Sequence, residues 1–170
     1  IVDEEGNKKT DGEIGEILIK SPTTFSGYWQ QPELTARILK DGWMHTSDFG
    51  YRDREGWLHV LDRSVDLLYR AGRTIYPRLI EETVHDHPAV KEACLVCEEE
   101  TGAHVLCLSL RKGYRQQTNP EELSTVILDF LSDYHDSPEM PDRVEIFEEL
   151  PRSYLRKVLR REVREALRSE

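Results

Sequence analysis

Four positions in this chain combine a reactive or ligand-accepting group with suggestive neighbours: Asp48, Arg63, Gly72 and Lys157. Asp48 closes Thr46-Ser47-Asp48. One ionised carboxylate there offers two acceptor oxygens, enough to fork onto two adjacent hydroxyls. The same spacing also suits an aspartate that caps a turn. Arg63 is a fixed cation able to face anionic oxygens. Ala71-Gly72 lies between Arg70 and Arg73, and a glycine there lets backbone approach a ligand closely or closes a β-turn. Lys157 stands in the basic run Arg156-Lys157-Val158-Leu159-Arg160-Arg161, where a lone lysine on a helix would be a solvated surface residue.

Other candidates are weaker. Cys94 and Cys97 form a C-x-x-C, which could open a zinc or redox site. Their segment reads as a strand, however, and an offset of three points the two side chains to opposite faces. No second pair completes a four-ligand set, so the cysteines are read as structural and no metal site is assigned. His85 and His87 sit two apart on an expected helix and cannot share a ligand face. Three cysteines without a secretory leader suggest free thiols in a reducing, cytoplasmic compartment.

These residues need elements to hold them. The chain has 170 residues, 38% apolar and 33% charged, room for one compact domain or two small ones with modest cores. No apolar run approaches the roughly 20 residues of a membrane-spanning helix. The net charge of −10 argues against a nucleic-acid partner, since phosphate backbones repel such a surface. The chain opens on Ile1 and passes at once into a polar turn, Asp3-Glu4-Glu5-Gly6-Asn7, so it is expected to be a fragment.

Up to about Asp62 the pattern is one of short strands and turns. Ile14 to Ile19 and Trp57 to Leu61 read as strands, and Phe25 to Trp29 as a turn. Pro32 to Leu39 reads as a short helix with proline in its first turn. After Arg63 the rhythm changes. Helices are expected from Pro77 to His87, from Asn119-Pro120 onward, and from Lys157 to Arg168. Strands are expected over Val90–Val96, His104–Leu110 and Arg143–Phe147. Asn119 should cap the second helix, with Leu123, Val126, Ile127, Phe130 and Leu131 as its apolar stripe. The expected fold is α+β, with a boundary near Arg63 to Asp66. A small antiparallel β unit over 1–63 precedes a roughly three-stranded α+β domain over 66–170.

Three stretches, in order, resemble the acyl-CoA synthetase branch of the adenylate-forming superfamily. The first runs from Gly15-Glu16-Ile17 through Phe25-Ser26-Gly27-Tyr28-Trp29 and Pro32-Glu33-Leu34-Thr35 to Asp41-Gly42-Trp43-Met44-His45-Thr46-Ser47-Asp48-Phe49-Gly50. The second is Gly56 to Leu68, then Gly72-Arg73-Thr74-Ile75-Tyr76-Pro77 and Ile80-Glu81. The third is Leu150-Pro151-Arg152-Ser153-Tyr154-Leu155-Arg156-Lys157-Val158-Leu159-Arg160-Arg161. The resemblance implies that Asp48 binds the ribose hydroxyls of ATP and that Arg63 contacts the nucleotide. It implies that the Ala71-Gly72 loop lines a coenzyme A tunnel, and that Lys157 bridges the substrate carboxylate and the α-phosphate. Four positions depart from the family: Ser47, Ala71 and Arg156 stand where glycine is usual, and Val65 where a polar hinge residue is usual.

The resemblance further implies a ligase that converts a carboxylic acid and ATP-Mg to an acyl-adenylate, then to a thioester with coenzyme A. The segments 1–63 and 66–170 would be the end of the large domain and the mobile lid. With no phosphate loop or acyl pocket, and with the magnesium carboxylate expected upstream, the fragment is expected to be inactive alone. Transfer to an acyl carrier protein, a reaction stopping at the adenylate, and a non-catalytic binding module are the alternatives. Arg156, Arg160, Arg164 and Arg168 recur at four-residue steps, expected as a solvated face with Glu162 and Glu165 as partners. Docking of coenzyme A phosphates or an acidic carrier protein is the other reading of that stripe.

Overall fold

The computed structural model of the protein describes residues 1–115 and 119–168. The chain divides into two compact units, Ile1–Val65 and Asp66–Glu170.

The first unit contains β1 (Gly15–Ile19), α1 (Pro32–Ile38), β2 (Leu39–Lys40), β3 (Trp43–Arg52) and β4 (Leu58–Arg63). The ten-residue β3 is the hub, pairing antiparallel with β1, β2 and β4. Asp41 and Gly42 connect β2 to β3 with φ of 53° and 78°, the two positive values of a tight hairpin turn whose twist matches that of its strands. Gly50 permits β3 and β4 to meet, because a Cβ there would lie 2.1 Å from the His59 carbonyl oxygen. Few apolar side chains of this unit are fully buried, chiefly Ile17 and Leu61.

The second unit follows a 3-10 turn over Ser64–Asp66. It opens with the hairpin β5 (Leu68–Arg70) and β6 (Arg73–Ile75), then α2 (Pro77–His85), β7 (Val90–Cys97), β8 (His104–Leu110), α3 (Pro120–Ser132), β9 (Arg143–Phe147) and α4 (Arg160–Leu167). The sheet order is β7-β8-β9, antiparallel then parallel. A parallel pair needs a long crossover, and α3 lies within it.

Every residue of β8 is buried, the pattern of a strand covered on both faces. Leu106, Leu108 and Leu110 join one cluster with Ile80 and Val84 of α2 and Leu123, Ile127 and Leu131 of α3. Val105 and Cys107, on the opposite face, join Cys94, Val96, Leu150 and Val163 of α4. Alternation along one strand thus feeds two cores. Removing a fully buried aliphatic side chain such as Ile127 costs about 2–5 kcal/mol.

Asn119 caps α3 as expected, its side chain accepting from the Glu121 N–H at 3.0 Å. Two expectations need correction. Val126 is 51% exposed: the row Leu123, Ile127, Leu131 takes the ground over the sheet, and Val126 rotates off it. The last helix begins at Arg160, not Lys157, because residues 152–158 close a hairpin of their own.

Candidate functional site

Asp48 sits in a bulge within β3, not in a turn between elements. Glu16 pairs with Phe49 and Leu18 with His45, which leaves Thr46, Ser47 and Asp48 opposite Ile17 alone. Local bonds satisfy the interrupted ladder. Thr46 Oγ1 donates to the Ile17 carbonyl at 2.7 Å and accepts from the Asp48 N–H at 3.0 Å. Ser47 adopts a left-handed φ of 60°, and its N–H donates to Glu16 Oε1 at 3.1 Å. Bulges of this kind re-aim a side chain.

The side chain so aimed is Asp48. Arg63 is its partner across β3 and β4, with Nε 3.3 Å from Asp48 Oδ1. The pair is solvent-accessible, with side-chain exposures of 67% for Arg63 and 39% for Asp48. Ion pairs this open contribute about 0–1 kcal/mol.

Ala71 and Gly72 form the two-residue loop between β5 and β6, with φ of 51° and 74°. Both positive values match a type I′ turn, in which glycine, asparagine and aspartate are favoured. The flanking Arg70 and Arg73 are direct cross-strand partners, a like-charge juxtaposition that is unfavourable by itself. Carboxylates offset it: Arg70 pairs with Asp142 and donates to the Met140 carbonyl at 2.8 Å, and Arg73 lies 3.8 Å from Asp136.

Lys157 occupies a third hairpin. Arg152 bridges Val158. The Arg156 N–H donates to the Ser153 carbonyl at 2.8 Å, and the Ser153 N–H to the Lys157 carbonyl at 2.9 Å. Arg156 has φ 63°. A β-turn followed by one left-handed residue is the three-residue hairpin with a G1-type bulge, and Lys157 is the next residue out. Its side chain is exposed, and among the described residues its ammonium has no ion pair.

The root of this hairpin is fastened by Arg160, the first residue of α4. Its guanidinium forks onto both Glu81 oxygens at 2.5 and 3.0 Å, donates to the Leu95 carbonyl at 2.9 Å, and lies 3.8 Å from Asp66. The expected solvated basic stripe therefore does not form: Arg156 is off the helix, and Arg160 is largely buried in ion pairs. Arg161 takes Glu165 as its partner and Arg168 takes Glu99.

Cys94 faces Cys107 directly across β7 and β8. Both are free thiols, and burial pushes the Cys94 pKa up to about 12 and that of Cys107 higher still. Such thiols are inert at neutral pH. Among the described residues no group of three or more His, Cys, Asp or Glu could hold a metal ion, and no helix is long and apolar enough to cross a membrane.

Asp48 and Arg63 are thus brought together, whereas the Ala71-Gly72 loop and Lys157 occupy separate hairpins of the second unit. Glu16 and Thr46 escaped the reading of the sequence as site residues, although both lie in the stretch that carried the resemblance. The Thr-x-Asp spacing, which suits a hydroxyl accepting the N–H two residues on, was the available signal for Thr46.

The chain is 34% identical over its whole length to the long-chain-fatty-acid–CoA ligase of Salmonella typhimurium, of which it spans 30%. It belongs to the AMP-forming acyl-CoA synthetase family. It corresponds to the C-terminal portion of these adenylate-forming ligases and spans about 30% of the length of the curated relatives it matches. Relatives are not confined to acid–CoA ligases: a fatty acid–[acyl-carrier-protein] ligase, ScoC of Streptomyces coeruleorubidus, is 35% identical over 97% of the chain and 31% of its own length. The ATP-bound structure of MatB from Rhodopseudomonas palustris superposes with a TM-score of 0.82 at 30% identity, over 97% of this chain and 32% of that one. No family model matches the chain. The mixed architecture of the described residues, with four helices and three small sheets, is that of the C-terminal region of adenylate-forming ligases.

Proposed function

We propose that this chain is the lid-bearing portion of an ATP-dependent acid–CoA ligase. In the first step the carboxylate of the substrate acid attacks the α-phosphorus of ATP, pyrophosphate leaves, and an acyl-adenylate forms. In the second, the coenzyme A thiol attacks the acyl carbonyl and AMP departs. Residues 1–63 are assigned to the end of the large domain and residues 66–170 to the lid.

Asp48 accepts both ribose hydroxyls of the nucleotide, and Arg63 lies beside it as a fixed cation. Lys157 spans the substrate carboxylate and the α-phosphate, where its ammonium offsets the charge developing at the phosphoryl centre. The Ala71-Gly72 turn lines the path of the coenzyme A thiol. By the resemblance, the carboxylate that holds magnesium is assigned to residues outside this chain. These 170 residues are expected to show no turnover alone.

One observation carries this reading over that of a non-catalytic homologue. Ser47, Ala71 and Arg156, the residues standing where glycine is usual, all retain a left-handed backbone, with φ of 60°, 51° and 63°. That conformation is unfavourable for side-chain-bearing residues, and it persists at the bulge that presents Asp48 and at the two hairpin loops that present Gly72 and Lys157. A carrier protein as the acyl acceptor is the second reading, supported by the similarity to ScoC.

The test is pyrophosphate–ATP exchange by the full-length ligase carrying this sequence, across a panel of carboxylic acids, beside Lys157→Ala. Acid-dependent exchange that collapses in the variant is expected. Exchange undiminished in Lys157→Ala would remove the lysine from the chemistry, and none with any acid would favour the binding module. Offering coenzyme A and a carrier protein in turn then separates the two acceptors.

A further inference from the structure

The bulge that carries Asp48 is held from outside itself. Ile17 has no ladder partner across the gap, and Thr46 Oγ1 satisfies its carbonyl. The remaining constraint comes from one side chain on β1. Glu16 accepts from the Ser47 N–H through Oε1 at 3.1 Å, while Oε2 bonds His45 Nδ1 at 2.8 Å. The two bonds grip the residue that enters the bulge and the residue at its apex. Glu16 and His45 are themselves mostly covered, with 22% and 24% of their side chains exposed.

We propose that Glu16 is the positioning residue of the nucleotide site: by clamping His45 and Ser47 it orients the Asp48 carboxylate, and so sets the preference for ribonucleotide over deoxyribonucleotide triphosphates. This rests on the reading that Asp48 receives the ribose hydroxyls. A carboxylate suits the task because its two oxygens accept from two directions at once. Ser47 holds an unfavourable backbone conformation, and that persists only where surrounding bonds over-determine it. Without Glu16 the Ser47 N–H loses its acceptor and the bulge is free to relax. Arg63, at 3.3 Å from Asp48 Oδ1, would then draw the carboxylate toward itself.

The experiment measures kcat and KM of the full-length ligase with ATP, 2′-deoxy-ATP and 3′-deoxy-ATP, for wild type, Glu16→Ala, Glu16→Asp, Glu16→Gln and Asp48→Ala. Glu16→Ala should lose about tenfold or more of the preference for ATP, the scale of one misplaced hydrogen bond to a charged group. The loss should lie in KM for the nucleotide, with KM for the acid unchanged. Glu16→Asp, whose charge is withdrawn by one methylene, should show the same loss. Glu16→Gln retains an acceptor for Ser47 and a donor for His45 and should restore most of the preference. A purely structural role would lower the folded fraction without altering the choice between nucleotides. Wild-type discrimination in folded Glu16→Ala or Glu16→Asp, with discrimination lost in Asp48→Ala, overturns the role of Glu16 and leaves that of Asp48 standing. Discrimination retained in Asp48→Ala overturns the ribose reading, and the positioning role with it.

Discussion

Arg156 holds a left-handed backbone, φ 63°, immediately before Lys157, and this one conformation places the lysine beyond the turn of its hairpin. Ser47 stands in the same relation to Asp48, with φ 60°. In both cases a residue with a side chain bears a geometry that glycine adopts freely, and Ala71 does so a third time.

Glycine should therefore stabilise these sites. Left-handed backbone costs a non-glycine residue about 1–2 kcal/mol, partly offset by the greater freedom of glycine in the unfolded chain. Ala71→Gly and Arg156→Gly are each expected to gain about 0.5–1 kcal/mol, seen as a higher urea midpoint at an unchanged slope. Ala71→Val should lower the midpoint, because a β-branched side chain tolerates positive φ least.

The Arg160–Glu81 fork should behave as a buried ion pair. Both side chains are less than a fifth exposed, and Glu81 also accepts from the Leu95 N–H at 2.7 Å. Arg160→Met leaves that carboxylate without its cation and is expected to cost about 3–5 kcal/mol. Adding Glu81→Gln should recover a large part of the loss. Denaturant unfolding of the two single variants and the double variant measures the coupling; simple additivity would mean that the two residues act independently.

Stability should fall in mildly acidic solution because of His104. This imidazole is 2% exposed and its Nδ1 has no hydrogen-bond partner among the described residues. Burial first, and the Arg70 guanidinium second, hold its pKa below the ordinary 6.5, against a weaker opposing pull from Asp142. The folded state thus keeps a neutral imidazole where the unfolded chain takes a proton. The stabilisation is present above pH 6.5 and is lost as pH falls from there toward the folded pKa, each full unit of depression being worth about 1.4 kcal/mol. His87, also depressed by burial, acts in the same direction. Unfolding measured at pH 7.5 and 5.5 should show the drop, and His104→Leu should reduce it; an equal drop in that variant would assign the effect elsewhere.

Much of this protein follows from local chemistry. The nearly continuous apolar run from Val105 to Leu110, the Asn119-Pro120 helix start and the proline opening α2 are short-range signals, and each element forms where such signals agree. The order and spacing of the stretches around Asp48, Gly72 and Lys157 likewise pointed to an adenylate-forming ligase before any contact was known. What the chain alone left undetermined is non-local. Lys157 reads as helical by its basic and apolar periodicity, yet the bridge from Arg152 to Val158 takes it into a hairpin. Arg160 reads as a surface cation until Glu81, 79 positions away, supplies a buried counter-charge. Glu16 gains its role only because a three-residue bulge, 29–31 residues further on, brings His45 and Ser47 against it. Periodicity sees one element at a time, whereas the pairing of buried charges and the satisfaction of an interrupted ladder depend on which strands and helices meet. Tertiary structure alone decides that.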